Sequence, residues 1–250
     1  MIKQYLPISS WPEAFLDLIL PPRCFGCGHI TLEHHTLCLS CWKICSFLSP
    51  PWCSLCGWPF PYETPEQSLC LHCHRLPPLF VQCRSALAYQ EGSRPLILKL
   101  KHGDGTYLAP GLAKLMLRIG QEVLPHTDML IPVPLHWKRL FMRQYNQATL
   151  LSYQLTQLSG IPTRTDLLKR QRSTLKQGHQ SHKERYKNVK GAFTISAGKE
   201  KFLKGKCLTL IDDVFTTGAT LSECAQTLLR GGAKEIRVIT LARVITSLGV

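Results

Sequence analysis

Leu208-Thr209-Leu210-Ile211-Asp212-Asp213-Val214-Phe215-Thr216-Thr217-Gly218-Ala219-Thr220-Leu221 decides how this chain is read. An apolar run of strand length delivers two adjacent carboxylates, and a turn of small residues then opens a helix. That helix is predicted over Ala219 to Arg230, with Leu221, Cys224, Ala225 and Leu228 on one face and Gly231-Gly232 ending it. Ile236 to Ala242 reads as the next strand. Strand, turn, helix and strand form a right-handed parallel crossover, which predicts an α/β sheet. Ligands bind such sheets at the carboxyl edge. The turn exposes backbone N–H groups at a helix start, with the hydroxyls of Thr216, Thr217 and Thr220 alongside, and so predicts a phosphate cradle. Carboxylates beside it accept hydrogen bonds from sugar hydroxyls, which suits a sugar phosphate. The competing reading is an ordinary tight turn with acidic decoration. The Walker pattern is absent, which argues against nucleoside triphosphate hydrolysis.

Upstream, Arg84 to Tyr89 and Met129 to Val133 read as strands. Ser93 to Lys101, Tyr107 to Gln121 and a segment from about Asn146 to Gly160 read as helices on their apolar spacing. Lys169 to Lys190 holds eight basic residues, one acidic residue and no apolar pattern, and predicts a long mobile loop. Ser10-Trp11-Pro12-Glu13 looks like a helix start with a capping box, so residues 1–22 are expected to form an N-terminal helix that docks on its own protein.

The chain has 250 residues and a formal net charge of +14, from 30 Lys and Arg against 16 Asp and Glu. A hydrophobic content of 44% excludes a disordered chain. No apolar run approaches the roughly 18 residues of a membrane-spanning helix. Pro7, Pro12 and Asp17 interrupt the opening segment, unlike a secretory signal, so a cytoplasmic protein is expected. The charge is uneven: residues 84–250 hold 26 of the basic residues and 11 of the acidic ones, whereas residues 23–83 hold most of the 12 cysteines. Domains are therefore expected at 23–83 and 84–250.

Four CxxC pairs fall within fifty residues: Cys24 and Cys27, Cys38 and Cys41, Cys53 and Cys56, Cys70 and Cys73. Two CxxC turns supply the four thiolates of a closed tetrahedral zinc site, and the spacing fits two successive zinc ribbons. A single zinc, with the remaining cysteines packed as small apolar residues, is the alternative, and a reducing compartment argues against disulfides. A four-ligand site leaves no position for water, so the metal is expected to be structural. Cys45 and Cys83 lack a CxxC partner and read as spare thiols.

Asp212 to Thr220 closely resembles the phosphoribosyl pyrophosphate (PRPP) signature of type I phosphoribosyltransferases. With the cysteine pairs, Ile131-Pro-Val-Pro-Leu-His136, Arg143-Gln-Tyr-Asn-Gln147 and Arg185-Tyr-Lys-Asn-Val-Lys-Gly-Ala-Phe193, the chain resembles the ComF competence protein family from Pro21 to Arg243. The resemblance implies a type I phosphoribosyltransferase-like parallel sheet flanked by helices, behind a small double zinc ribbon. It implies that Asp212 and Asp213 hold the ribose hydroxyls of PRPP and that Thr216, Thr217, Gly218, Ala219 and Thr220 bind its 5-phosphate. Pro134, Leu135, His136 and Arg139 correspond to the pyrophosphate loop, with Arg143 and Asn146 beside it and Mg²⁺ bridging ligand oxygens. Thr174, Gln177, Ser181, Glu184, Arg185 and Asn188 match a flexible lid beginning near Arg170, and Lys99 and Lys101 match a further basic patch.

Three departures stand out. Gln144 replaces a glycine, which puts a close approach in doubt; Gln180 replaces a leucine of the lid; and Phe215 replaces a small β-branched residue, which narrows or walls the ribose site. Residues 134–190 contain twelve Lys and Arg against two acids, and Trp137, Phe141, Tyr145 and Tyr186 interleave with them. That pattern suits single-stranded DNA, through phosphate neutralisation and base stacking, although a lid serving PRPP alone would also use the charges. The family implies a part in natural transformation, alongside DNA-uptake partners. Transfer of the phosphoribosyl group to a nitrogenous acceptor is the alternative, for which the sequence offers no recognisable acceptor pocket.

Overall fold

A computed structural model describes residue 17, residues 20–172 and residues 182–245. Most of the expected N-terminal helix, and Thr174, Gln177, Gln180 and Ser181 of the expected lid, lie outside the described residues.

Four parallel strands form the central sheet in the order β1-β6-β5-β2: β1 (Gln82–Ala88), β2 (Met129–Pro132), β5 (Cys207–Phe215) and β6 (Glu235–Arg243). Most positions of these strands are buried because both faces are covered, polar Arg84, Ser85, Thr209 and Thr240 included. One face packs on α3 (Arg94–Leu100), α4 (Ala109–Gly120) and α6 (Gln147–Ser159), which contribute Leu96, Ile97, Leu112, Met116, Leu151 and Leu155. The other packs on α8 (Ala219–Arg230) through Leu221, Cys224, Ala225 and Leu228. The fold class expected from the sequence is the one found.

Local chemistry sets the element ends near the site. Asn146 accepts the Ala148 N–H at 3.0 Å and caps α6, and Gly160 ends that helix at a φ of 75°. Before it stands a short helix that the apolar pattern did not reveal, α5 (Trp137–Arg143). His136 caps it, with Nδ1 accepting the Lys138 N–H at 3.3 Å.

The two described ends of the stretch from Lys169 to Lys190 are strand and helix, not loop. Its start belongs to β3 (Leu168–Arg170), which pairs antiparallel with β4 (Phe193–Ile195), and its end is the helix α7 (His182–Val189). Val189, 1% exposed, supplies the buried anchor, and Glu223 of α8 accepts the N–H of Gly191 just beyond the helix at 2.6 Å. Val189 is the one buried side chain among those described in this helix, and a single apolar anchor gives no periodic signal in the sequence.

The cysteine-rich segment docks along β1. Its two small helices, α1 (Leu39–Ile44) and α2 (Leu71–Arg75), each begin just after a cysteine, Cys38 and Cys70. Backbone bonds from Leu48 to Ala86 (3.0 Å), from Ala88 to Ser46 (2.8 Å) and from Cys83 to Leu55 (2.6 Å) stitch it to the strand. Phe25 and Cys45 enter the same core as α3 and α4, so this segment and the sheet share apolar packing.

Candidate functional site

β5 carries Asp212 and Asp213 to its carboxyl end beside the mouth of β2, as the strand-turn-helix reading requires. The chain then turns through Thr216, Thr217 and Gly218 into α8. Gly218 has a φ of 76°, and an added Cβ would stand 2.9 Å from the Phe215 ring, so glycine is demanded twice over. Thr217 supports the turn from beneath, its hydroxyl 3.5 Å from the Ala219 N–H.

Asp212, Asp213, Thr216, Gly218 and Thr220 line one cleft with Leu135, Arg139, Arg143 and Asn146. Other expected residues lie apart from it. Thr217 lines a groove on the far side of the turn, Ala219 is buried, and His136 is spent on capping α5. Asn188 sits on α7, where its carbonyl accepts Arg172 at 3.2 Å. Pro134 and Asn188 do not line the cleft.

Two cations opposite the acids complete the cleft, Lys101 just after α3 and Arg170 at the end of β3. Lys101 Nζ lies 3.2 Å from Asp213 Oδ2. Tyr145 fixes the loop that carries Lys101, its hydroxyl donating to the carbonyls of Leu100 (2.6 Å) and His102. Gln147, whose role the sequence did not reveal, also lines the cleft. It is 1% exposed; its Oε1 accepts Arg143 at 3.2 Å, and its Nε2 has no hydrogen-bond partner among the described residues. The sequence signals for it are its place at the end of the Arg143-Gln-Tyr-Asn-Gln147 motif and immediately after the N-cap of α6.

The electrostatics are those of an anion site with an acidic floor. Burial, and then the neighbouring Asp213, push the Asp212 carboxyl up to about 8, while the Asp213 N–H donates to it at 2.9 Å. Arg139 is lowered by burial and then by Arg143, and Arg170 by burial and then by Arg139. Like charges are thus held together in a half-buried pocket, an arrangement that a bound polyanion relieves.

Two expectations about departures change. Gln144 ends α5 at a φ of 64°, so a glycine at that position serves a left-handed cap. Phe215, 7% exposed, turns away from the acid pair toward Phe80 and Arg243, and does not wall the cleft.

The eight paired cysteines form two quartets, Cys24, Cys27, Cys38 and Cys41, and Cys53, Cys56, Cys70 and Cys73, with the sulfurs of each within 4.8 Å of one another. The Sγ atoms of Cys27 and Cys38 lie 3.5 Å apart, and those of Cys56 and Cys70 lie 3.7 Å apart. Tetrahedral zinc with bonds of about 2.3 Å separates sulfurs by roughly 3.8 Å, whereas a disulfide requires about 2.05 Å. The quartets therefore fit a metal. Side-chain contacts with Cys53 and then Cys70 push the Cys56 thiol far up, and contacts with Cys53 and then Cys56 do the same to Cys73. Four thiolates at this spacing need a cation between them. Cys45 and Cys83, buried and outside both quartets, match their reading as spare thiols.

A parallel α/β sheet with an acid pair and a small-residue turn at its carboxyl edge, fronted by two four-cysteine groups, defines an α/β protein with a zinc-ribbon module. The double zinc ribbon domain matches residues 15–74. Competence protein F of Haemophilus influenzae is 35% identical over 229 residues, covering 88% of this chain and 96% of that relative. DNA utilization protein YhgH of Escherichia coli K12 is 31% identical over 241 residues, covering 91% and 100%. Competence protein ComFC of Bacillus subtilis is 27% identical over 215 residues, covering 83% and 84%. The chain belongs to the ComF competence protein family. Among solved structures, a glutamine PRPP amidotransferase of Bacillus subtilis overlaps 54% of this chain and 27% of its own, at 20% identity and a TM-score of 0.37. An overlap this slight carries no functional information.

Proposed function

We propose that the cleft binds PRPP with Mg²⁺ and that the protein handles single-stranded DNA during DNA uptake. The observation that carries the first part is the convergence of Asp212 and Asp213, the Gly218 turn, Arg139, Arg143, Arg170 and the buried Gln147 amide on one cleft. Ribose hydroxyls donate to the carboxylates, and the 5-phosphate sits on the N–H groups that open the 12-residue α8. The pyrophosphate faces the arginines, whose mutual repulsion it relieves. Asp212 and Asp213 would hold Mg²⁺, a hard cation that prefers oxygen ligands and would offset the charge of the pyrophosphate. Each group of the ligand thereby meets a residue of the complementary kind.

The DNA reading is supported by α5, where Trp137 is 65% exposed and Phe141 85% exposed beside Lys138. Exposed rings next to cations stack bases and neutralise phosphates. Tyr145 and Tyr186 are not part of that surface: the first spends its hydroxyl on backbone carbonyls, and the second lines the groove behind the turn. The names of the relatives, competence and DNA utilization proteins, point to the same role. No helix among the described residues is long and apolar enough to cross a membrane.

Thermal-shift and anisotropy measurements test the two parts separately. PRPP with Mg²⁺ is expected to raise the melting temperature, by an amount that grows with ligand concentration. A labelled oligonucleotide is expected to bind at about 50 mM salt and to dissociate steeply as salt rises. Absence of a shift with PRPP overturns the first part, and absence of binding at low salt overturns the second. Transfer to a nitrogenous acceptor would additionally release pyrophosphate from PRPP.

A further inference from the structure

Arg243 ends β6 with its side chain 3% exposed, and among the described residues no carboxylate forms an ion pair with it. A buried guanidinium without counter-charge is costly, so the structure around it must supply negative charge. What it meets is the second cysteine quartet. Arg243 Nη1 donates to the Cys56 carbonyl at 2.6 Å and stands 4.0 Å from Cys56 Sγ. Four thiolates around one Zn²⁺ carry a net charge of about −2, so the loaded quartet is a buried anion beside a buried cation. Among the described residues the first quartet shows no such partner: Cys24 is buried, but Cys27 is exposed and Cys38 and Cys41 are half-buried, open to solvent screening.

The same guanidinium is stacked between two rings, 5.1 Å from the centre of Trp58 and 4.7 Å from that of Phe215. Trp58 belongs to the second ribbon. Phe215 is the cross-strand partner of Arg243 and underlies the turn of the cleft, since its ring leaves no room for a Cβ on Gly218. A continuous set of contacts therefore runs from Cys56 through Arg243 and Phe215 to Gly218, from a metal quartet to the backbone that opens α8.

We propose that Arg243 is the counter-cation of the second four-cysteine site and a positioning residue for the 216–220 turn, so that metal in that site sets the order of the turn. With the quartet loaded, the dianion holds the guanidinium, and the guanidinium holds the Phe215 ring beneath Gly218. With the metal removed and the thiols reprotonated, the arginine loses its counter-charge and the ring its clamp. The proposal needs the metal and Arg243, not the identity of the cleft's ligand.

The test uses the full zinc-loaded chain and two readouts that are independent of activity. Arg243→Met keeps length and apolar packing but removes the charge. It is expected to release zinc from the second quartet roughly 10–100-fold more readily to a chromogenic chelator, as the loss of an outer-shell partner does. Alkylation mapped by peptide assigns that loss to Cys53, Cys56, Cys70 and Cys73. Arg243→Lys, which restores the charge, is expected to retain zinc nearly as the wild type does. Hydrogen exchange of amides 216–222 is expected to accelerate in Arg243→Met. In case that variant folds poorly, the wild-type chain is stripped stepwise. Exchange at 216–222 is then expected to rise when the second zinc leaves and to stay unchanged when only the first has gone. Equal zinc retention in Arg243→Met and wild type overturns the counter-cation role. Unaltered exchange at 216–222 after loss of the second zinc overturns the coupling. PRPP is absent throughout, so these outcomes stand whether or not the cleft binds it.

Discussion

Asp212 shows how a single group can oppose stability while serving a site. Its carboxyl lies at about 8 through burial and then the proximity of Asp213, far above the roughly 3.9 of an unfolded chain. Between those two values the folded state holds a proton that the unfolded state has lost, so stability drawn from this group falls as pH rises from about 4 to about 8. Asp212→Asn is therefore expected to match wild type near pH 4 and to exceed it in urea unfolding near pH 8.5. Equal gains at both pH values would contradict the burial of the charge. Gln144 is a second such position. A left-handed φ of 64° costs a side chain about 1 kcal/mol, and Gln144→Gly is expected to raise stability by about 0.5–1 kcal/mol in chemical denaturation. No gain would mean that the Gln144 side chain offsets its own strain.

At the scale of elements, α5 is the piece most directly open to a partner. Its seven residues bury no side chain, and Trp137, Leu140, Phe141 and Met142 face outward among basic neighbours. Replacing Trp137 and Phe141 together by alanine is expected to weaken single-stranded DNA binding by about 1–3 kcal/mol per base stacked, measured by anisotropy at fixed salt, with little change in melting temperature. Unchanged affinity would remove the stacking role. β5, α8 and β6 were legible in the sequence because an apolar run, a glycine turn and a 3.6-residue stripe coincide there. The helices α5 and α7 were not: α5 is only seven residues long and turns its apolar residues to solvent, and α7 is almost wholly polar. The strand end that carries Asp212 and Asp213 and the turn that follows it could be placed from motif residues. Arg170, Lys101 and Gln147 converge on them only through tertiary packing of β3, α3 and α6, which no local pattern encodes.

Across the whole molecule, the two ribbons differ in a way their identical CxxC spacing conceals. The second quartet is wholly buried against β1 and β6, whereas the first keeps Cys27 in solvent. Two zinc ions per chain are expected by elemental analysis. A chelator is expected to remove the first-ribbon ion well before the second, as read by time-resolved alkylation of Cys27 against Cys56. Simultaneous release, or release in the opposite order, would contradict the difference in burial. A part of the positive excess also acquires a location, since Lys101, Arg139, Arg143 and Arg170 surround one cleft at the carboxyl edge of the sheet. Calorimetric titration of PRPP with Mg²⁺ into wild type and into Asp212→Asn/Asp213→Asn tests that cleft most directly. Saturable binding by wild type, weakened at least tenfold in a folded double variant, is the expected result. No binding by wild type, or equal binding by both proteins, would contradict it.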